Sequence, residues 1–157
     1  MRNLLMLPAM LIALAACGGD DPSPTELEPT HASVAGSYVG VMAGVSQGVT
    51  ADMDFALIVS QTAGALTGTY GISGTLTDGV DVVDIFGTGT LTGTVTTGNN
   101  PSVNIVVKPD ACPANTASFS GSYDSTNRRL TITGPVQFYG GSCNIVLTFP
   151  TTFILHR

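Results

Sequence analysis

Apolar and polar residues alternate along most of the chain beyond residue 34. In the segment FGTGTLTGTVTTG (86–98), threonines alternate with Gly89, Leu91, Gly93 and Val95. The segments MDFALIV (53–59), ASFSGSY (117–123) and RRLTITG (128–134) repeat with the same period of two. This period is typical of antiparallel strands with one buried face and one hydrated face. No sustained period of 3.6 occurs there, so the pattern predicts no helix.

Turn-forming residues divide these runs into eight predicted strands. Clusters of Gly, Asn, Asp, Ser and Pro stand at 63–64, 78–79, 98–101, 109–110, 124–127 and 140–141. The predicted strands are 36–43, 52–61, 66–73, 85–96, 102–108, 116–123, 129–138 and 143–155. Their short connections favour an all-β domain formed by one antiparallel up-and-down meander of about eight strands that closes into a barrel. A two-sheet β-sandwich buries alternate residues in the same way and remains the alternative.

The first 16 residues, MRNLLMLPAMLIALAA, have a different pattern. One charge, on Arg2, precedes a short apolar run and a group of small residues, which is typical of a secretory signal. The apolar run is shorter than the roughly 20 residues that a membrane-spanning helix needs. The segment LAAC (14–17) resembles the lipobox of bacterial lipoproteins, in which the cysteine receives a diacylglycerol and becomes the N-terminus after cleavage.

The lipobox resemblance implies three segments and a location. Residues 1–16 would be a lipoprotein signal peptide, and Cys17 would carry the lipid that anchors the chain to a membrane of the bacterial cell envelope. In bacteria like the enteric ones, an aspartate after this cysteine retains the protein at the inner membrane. The chain has Gly18 there, which favours the outer membrane where two membranes exist. Residues 17–33 are rich in proline and acidic residues and are expected to form a disordered tether, followed by the β-domain at 34–157.

The two remaining cysteines are predicted to form a disulfide bond. With Cys17 lipidated, Cys112 and Cys143 remain in an exported domain, where oxidation is permitted. In a meander, Cys112 precedes the sixth strand and Cys143 starts the eighth, so both lie at one end of the barrel. Ladder positions two strands apart are too distant for a disulfide, so the loop with Cys112 must lean across the seventh strand. The bond would staple one rim.

Charge and composition exclude several classes of function. Without residues 1–16, four basic and eleven acidic residues give a net charge of −7, so no nucleic-acid partner is expected. Both histidines lie near the chain ends, no catalytic set is present, and neither an enzyme nor a cofactor is predicted. The metal candidates are Asp78, Asp81 and Asp84 in DGVDVVD. Their spacing matches no established calcium loop, and a solvated acidic loop without metal is preferred.

Two short segments resemble a known group of barrels. GSYVG (36–40), followed by AGALTGTY (63–70), is similar to the first strands of calycin-type barrels, the lipocalin-like and avidin-like group. This resemblance implies a barrel interior that can hold a small ligand. Avidin-like biotin sites depend on tryptophan, and the chain has none, so no ligand-binding residue is assigned.

Two functional hypotheses follow. The first is a lipid-anchored envelope protein that binds a small apolar ligand inside the barrel. The second is a protein-interaction or structural envelope module, such as a scaffold or an inhibitor, with no small-molecule ligand. An apolar cavity would favour the first, and a packed core with an exposed apolar patch would favour the second.

Overall fold

The structure, a computed structural model, describes residues 30–157. The predicted signal peptide, Cys17 and residues 18–29 of the predicted tether lie outside the described residues. The described part forms eight strands and no helix. In chain order they are β1 (Gly36–Ser46), β2 (Val49–Thr62), β3 (Ala65–Thr77), β4 (Val82–Val95), β5 (Ser102–Pro109), β6 (Ala117–Asp124), β7 (Arg129–Tyr139) and β8 (Ile145–His156).

The eight strands form a closed barrel in sequence order. Each strand is antiparallel to its neighbours, and β8 returns to pair with β1 at Val39 and His156. The structure therefore confirms the predicted all-β, up-and-down meander, and the β-sandwich alternative is wrong. Closure gives every strand a neighbour on both sides over at least part of its length, which protects strand edges.

The predicted strands are all present, but four ends were placed three or four residues too short and one was placed two residues too long, while the other ends agree to within one residue. β1 continues to Ser46, β2 starts at Val49, β3 reaches Thr77, and β4 starts at Val82. The ladders extend because tight turns keep the main chains paired up to Ser46↔Val49 and Thr77↔Val82, whatever the side chains are. The eighth strand was predicted from Cys143, but Cys143 lies in the β7–β8 turn with a positive φ of 59° and β8 starts at Ile145.

The barrel has two different ends. We call the end with the β2–β3, β4–β5 and β6–β7 turns, together with Thr30 and Arg157, the closed end. We call the end with the other four connections the open end. At the closed end, the main chain before β1 crosses the barrel, where His31 bridges to Thr97 and Val34 is fully buried. Among the described residues, His31 already contacts the barrel, three residues before the domain start expected from sequence.

Hydrogen bonds fix this N-terminal segment against the closed end. The buried Tyr38 hydroxyl donates to the carbonyl of Val34 at 2.6 Å. The Gln61 side chain accepts the Val34 N–H at 2.7 Å and donates to the carbonyl of Ala32 at 3.1 Å. The segment covers the hydrophobic core at the closed end.

Inward side chains fill the half of the barrel next to the closed end. Burial alternates residue by residue along β2 and β5, as the period of two predicts. Within residues 30–157, the buried residues are apolar or aromatic and none is charged, while the partly exposed His31 has a buried Nδ1 atom without a hydrogen-bond partner. The largest side chains that are almost fully buried are Tyr38, Phe153, Met53, Leu57, Leu66, Leu91, Ile105, Leu130, Ile132 and Leu155.

Candidate ligand cavity at the open end

The barrel wall is lower on one side of the open end. β5 and β6 contain 8 residues each, whereas β2 and β4 contain 14. The β4–β5 ladder ends at Gly89↔Pro109, and the β6–β7 ladder ends at Ser120↔Thr133. Residues 82–88 of β4 and 134–139 of β7 therefore have a ladder partner on one side only. A gap opens between these two segments above the short strands.

A cavity of about 770 Å³ occupies this gap and the upper interior of the barrel. This volume lies within the range of roughly 300–1,000 Å³ that is usual for small-molecule sites. The walls are mostly apolar and aromatic, and the strands that supply them are β2 through β8. The main wall residues are Tyr70, Ile72, Leu76, Ile85, Phe86, Phe138 and Tyr139.

An aromatic layer forms the floor of the cavity. The rings of Phe55 and Phe153 stack with centroids 4.3 Å apart, and Phe119 packs beside Phe153 at 6.1 Å. Tyr70 extends this layer towards the opening, 6.0 Å from Phe55. Large rings from β2, β6 and β8 thus meet across the barrel and separate the packed half from the cavity.

The polar groups of the cavity lie near its mouth. Among the described residues that line it, Asp110 carries the only charged side chain. Thr88 holds Asp110 in place, because its carbonyl accepts the Asp110 N–H at 3.0 Å and its hydroxyl donates to Asp110 Oδ2 at 2.7 Å. Tyr139 donates its hydroxyl to Gln137 Oε1 at 3.0 Å. The mouth therefore presents one oriented carboxylate among aromatic rings.

Burial keeps the Tyr70 hydroxyl protonated. Desolvation, with smaller contributions from Tyr139 and the negative charge of Asp110, raises the pKa of Tyr70 to about 12. Burial also raises the pKa of Tyr139. Both phenols are hence neutral at physiological pH and can donate or accept a hydrogen bond.

The Cys112–Cys143 disulfide bond joins two loops at the rim of the cavity. The two Cα atoms are 5.5 Å apart, and the bond connects the β5–β6 loop to the β7–β8 turn. Asn115 adds a second link, since its side-chain amide donates to the carbonyl of Cys143 at 2.8 Å. The predicted pairing and its place on one rim are confirmed, and the staple borders the cavity.

The predicted acidic loop is arranged differently from the expectation. Asp78 and Asp81 lie in the β3–β4 turn, but Asp84 lies on β4, paired with Thr75 and exposed. Asp78 Oδ1 accepts the N–H groups of Val80 and Asp81 at 3.0 and 2.9 Å, which lowers the pKa of Asp78. Within residues 30–157, no group of three or more His, Cys, Asp or Glu side chains is placed to hold a metal ion.

No ligand-binding residue was assigned from the sequence, but some residues that line the cavity could have been predicted to face the barrel interior. Tyr70, Ile72 and Leu76 share the inward parity of β3, so alternation alone identifies them as interior residues. Asp110 and Cys112 lie in an irregular loop with no period, where only the tertiary structure shows what they face. The cavity itself depends on the short β5 and β6 beside the longer β4 and β7, a contrast that the predicted strand lengths did not single out.

A second apolar surface lies on the outside of the barrel. Val39 and Val41 on β1, together with Phe86 on β4, border a shallow groove of about 490 Å³ over β1–β4. Phe86 is 82% exposed, and the two valines are 63% and 68% exposed. Adding a Cβ to Gly71, in the middle of the groove, would meet nothing within 4 Å. The groove is thus accessible and mostly apolar, although Asp54, Ser73 and Thr88 also border it.

Comparisons of the chain with protein-family models, curated proteins and solved structures gave no match. No helix among residues 30–157 is long and apolar enough to cross a membrane.

Proposed function

We propose that this chain is a lipid-anchored protein of the bacterial cell envelope that binds a small apolar ligand in the open-end cavity. The cavity itself carries the proposal. An eight-stranded barrel either fills its interior with side chains or holds one small ligand, and this barrel combines a packed core with a cavity at one side of its open end. The closed meander is also compatible with the calycin-type resemblance of its first strands.

The walls suit an apolar molecule. A ligand that hid about 300 Å² of apolar surface would gain roughly 7 kcal/mol before the cost of association. The few polar groups at the mouth can orient one end of such a molecule. Because a Kd of 1 μM corresponds to about 8 kcal/mol of net binding energy, micromolar affinity requires contributions beyond this buried area, from contacts with the aromatic rings and the polar groups at the mouth.

The anchoring part of the proposal depends on the LAAC segment (14–17). Residues 1–16 would be removed and Cys17 lipidated, which intact mass measurement of the mature protein tests. The expected species lacks residues 1–16 and carries a diacylglycerol. A Cys17→Ser chain should lack the lipid, and a wild-type chain of unmodified mass would contradict the anchor.

Ligand binding is tested with a fluorescent probe. The full chain carrying Cys17→Ser has no lipid, and the neutral apolar probe N-phenyl-1-naphthylamine is titrated into it. We expect one site per chain and a Kd in the micromolar range. Ile85→Trp, which places a larger side chain in the cavity wall, should weaken binding at least 10-fold.

Thr90→Trp is the matched control because Thr90 lies on the same strand and points outward. Circular dichroism and thermal unfolding verify that both variants fold. A folded wild-type chain that does not bind the probe, or an Ile85→Trp variant that binds as the wild type does, would overturn the cavity as a binding site.

A second candidate function is a protein-interaction module, favoured by the apolar outer groove bordered by Val39, Val41 and Phe86. Under this hypothesis Val41→Asp abolishes a complex with an envelope protein in crosslinked cells and leaves probe binding unchanged. Loss of the complex only with Ile85→Trp would instead connect partner binding to the cavity.

A further inference from the structure

We infer that the ligand of the open-end cavity is an amphiphilic cation, with an apolar body inside the barrel and a positively charged group at the mouth between aromatic rings and the carboxylate of Asp110. This inference rests on the proposed ligand-binding function. It adds the charge of the ligand, which an apolar cavity alone does not specify.

Aromatic rings are concentrated at this site. Six of the ten aromatic residues of the chain line the cavity, and three of them, Tyr70, Phe138 and Tyr139, lie above the aromatic floor, whereas Phe86 is 82% exposed on the outer side of the rim. The face of an aromatic ring attracts a cation, by about 0.5–1 kcal/mol at an exposed site and about 2 kcal/mol or more when the pair is desolvated. Rings on β3 and β7 border the mouth and can contact a cation.

Asp110 supplies the complementary charge. Its two hydrogen bonds with Thr88 attach the β5–β6 loop to the unpaired edge of β4, which fixes the carboxylate at the rim. Asp110 and Tyr70 both line the cavity, and the negative charge of Asp110 is the smallest of the three contributions that raise the pKa of Tyr70. Lys108 lies two residues away, but it is exposed on the outer face of β5 and does not line the cavity.

Charges over the rest of the barrel reinforce this preference. Within residues 30–157, six of the seven carboxylates lie in the half next to the open end, and all three arginines lie at the closed end. The six are Asp52, Asp54, Asp78, Asp81, Asp84 and Asp110, and the arginines are Arg128, Arg129 and Arg157. The mouth is therefore in a negative field, which raises the local concentration of cations and lowers that of anions.

The cavity offers no basic side chain to pair with an anionic amphiphile. A fatty-acid carboxylate or a phosphate ester would need a basic side chain or a cluster of N–H donors, whereas no Lys, Arg or His lines the described cavity. The carboxylate of a ligand would instead be repelled by Asp110. Because no positive charge in the cavity offsets this repulsion, binding would be weaker.

The test compares three ligands with the same ten-carbon chain: decyltrimethylammonium, decanol and decanoate. Each competes with N-phenyl-1-naphthylamine for the full chain carrying Cys17→Ser. Decyltrimethylammonium should displace the probe at a concentration at least 10-fold lower than decanoate and several-fold lower than decanol. Asp110→Asn keeps the acceptor for Thr88 and should reduce the cation–decanol preference to about 2-fold or less.

Asp81→Asn is the matched control, because Asp81 is an exposed carboxylate near the same end that does not line the cavity. It should retain most of the preference. Equal competition by decanoate, or a cation preference that Asp110→Asn leaves unchanged, would overturn the inference and leave the binding function standing. If the probe and all three ligands fail to bind the folded chain, both the inference and the binding function are wrong.

Discussion

At the scale of single residues, the turns determine how well the ladders are joined. Gln47 and Gly48 connect β1 to β2 with φ values of 52° and 81°. A two-residue hairpin with positive φ at both positions is the type that matches the twist of the strands, and Asn-Gly is its favoured sequence. Glycine at position 48 adopts this conformation readily, whereas glutamine at position 47 adopts it at a cost.

We therefore expect Gln47→Asn to stabilise the protein. Asparagine tolerates the left-handed conformation better than glutamine, so the gain should be about 0.5 kcal/mol, or about 2 °C in Tm. Thermal unfolding by circular dichroism measures the shift. Gln47→Ala, which lacks this tolerance, should give no stabilisation, and an equal gain from both substitutions would contradict the explanation.

The Asp124 carboxylate makes the β6–β7 turn sensitive to acid. Its Oδ1 accepts the N–H groups of Thr126 and Asn127 at 3.0 and 3.1 Å, and its Oδ2 accepts the Asn127 amide at 2.7 Å. These bonds, led by the one from the Asn127 side chain, hold the pKa of Asp124 below its usual value of 3.8. The stabilisation is complete above that value and is lost as the pH falls below it.

Asp124→Asn should reduce this acid sensitivity. Asparagine keeps an acceptor at Oδ1 but does not titrate, so the fall in stability below pH 3.8 becomes shallower than in the wild type. Urea unfolding at a series of pH values measures the slope. The remaining slope should decrease again when Asp78→Asn is added, because the pKa of Asp78 is also lowered by main-chain donors. Parallel curves for wild type and Asp124→Asn would refute the assignment.

At the scale of elements, alternation identified the faces of the strands and missed their ends. Side-chain parity correctly placed Gly89, Leu91, Gly93 and Val95 inside β4, because burial of one face requires that period. The extensions of β1, β2 and β3 were missed, since main-chain hydrogen bonds maintain a ladder through residues whose side chains carry no pattern. Asp84 was assigned to a loop for the same reason.

Two glycines of β3 differ in whether the packing of the barrel requires glycine at that position. A Cβ added to Gly68 would overlap the carbonyl oxygen of Ile58 on β2, whereas one added to Gly71 would meet nothing within 4 Å. Gly68→Ala should cost about 2–3 kcal/mol or more, because the neighbouring main chain cannot yield without breaking the ladder. Gly71→Ala should be neutral or stabilise by up to about 1 kcal/mol.

Urea unfolding of the two variants measures this difference directly. Both substitutions add the same methyl group to the same strand, so general effects of alanine cancel. Similar stabilities for the two variants would show that the close approach of β2 and β3 at Gly68 is not required.

The disulfide bond restrains two connections rather than the barrel ladders. Its separation of 31 residues predicts about 3–4 kcal/mol of stabilisation by the chain-entropy estimate. A Cys112→Ser, Cys143→Ser double variant should lose about this much and still form the barrel. Hydrogen exchange should increase mainly in loops 110–116 and 140–144, while the closed end keeps its protection. Uniform loss of protection would show that the bond holds the whole fold.

At the scale of the whole molecule, the sequence predicted the barrel but not the cavity at its open end. Eight strands with short connections predicted a closed barrel, and the predicted disulfide bond placed two loops at the same end of it. The cavity depends on a comparison between strands: the eight-residue β5 and β6 leave the longer β4 and β7 unpaired above them. Asp110, Thr88 and Tyr70 line this cavity from three separate elements. Local sequence patterns do not predict that these elements are adjacent there.

Charge is also polarised over the whole molecule. The arginines at positions 128, 129 and 157 share the closed end with Thr30, where the chain enters the described domain. The proposed anchor upstream would attach on this side, with positive charge towards an anionic membrane surface and the cavity mouth at the opposite end. This orientation would leave the mouth accessible to ligands from the compartment.

The packed closed end has a kinetic consequence. Because side chains and residues 31–34 fill that end, the cavity described here communicates with solvent at the opposite rim. Arrival and departure of a ligand then follow one path in opposite directions. A substitution that narrows only this path slows both rates by the same factor, so it lengthens the residence time of the ligand without changing its equilibrium affinity.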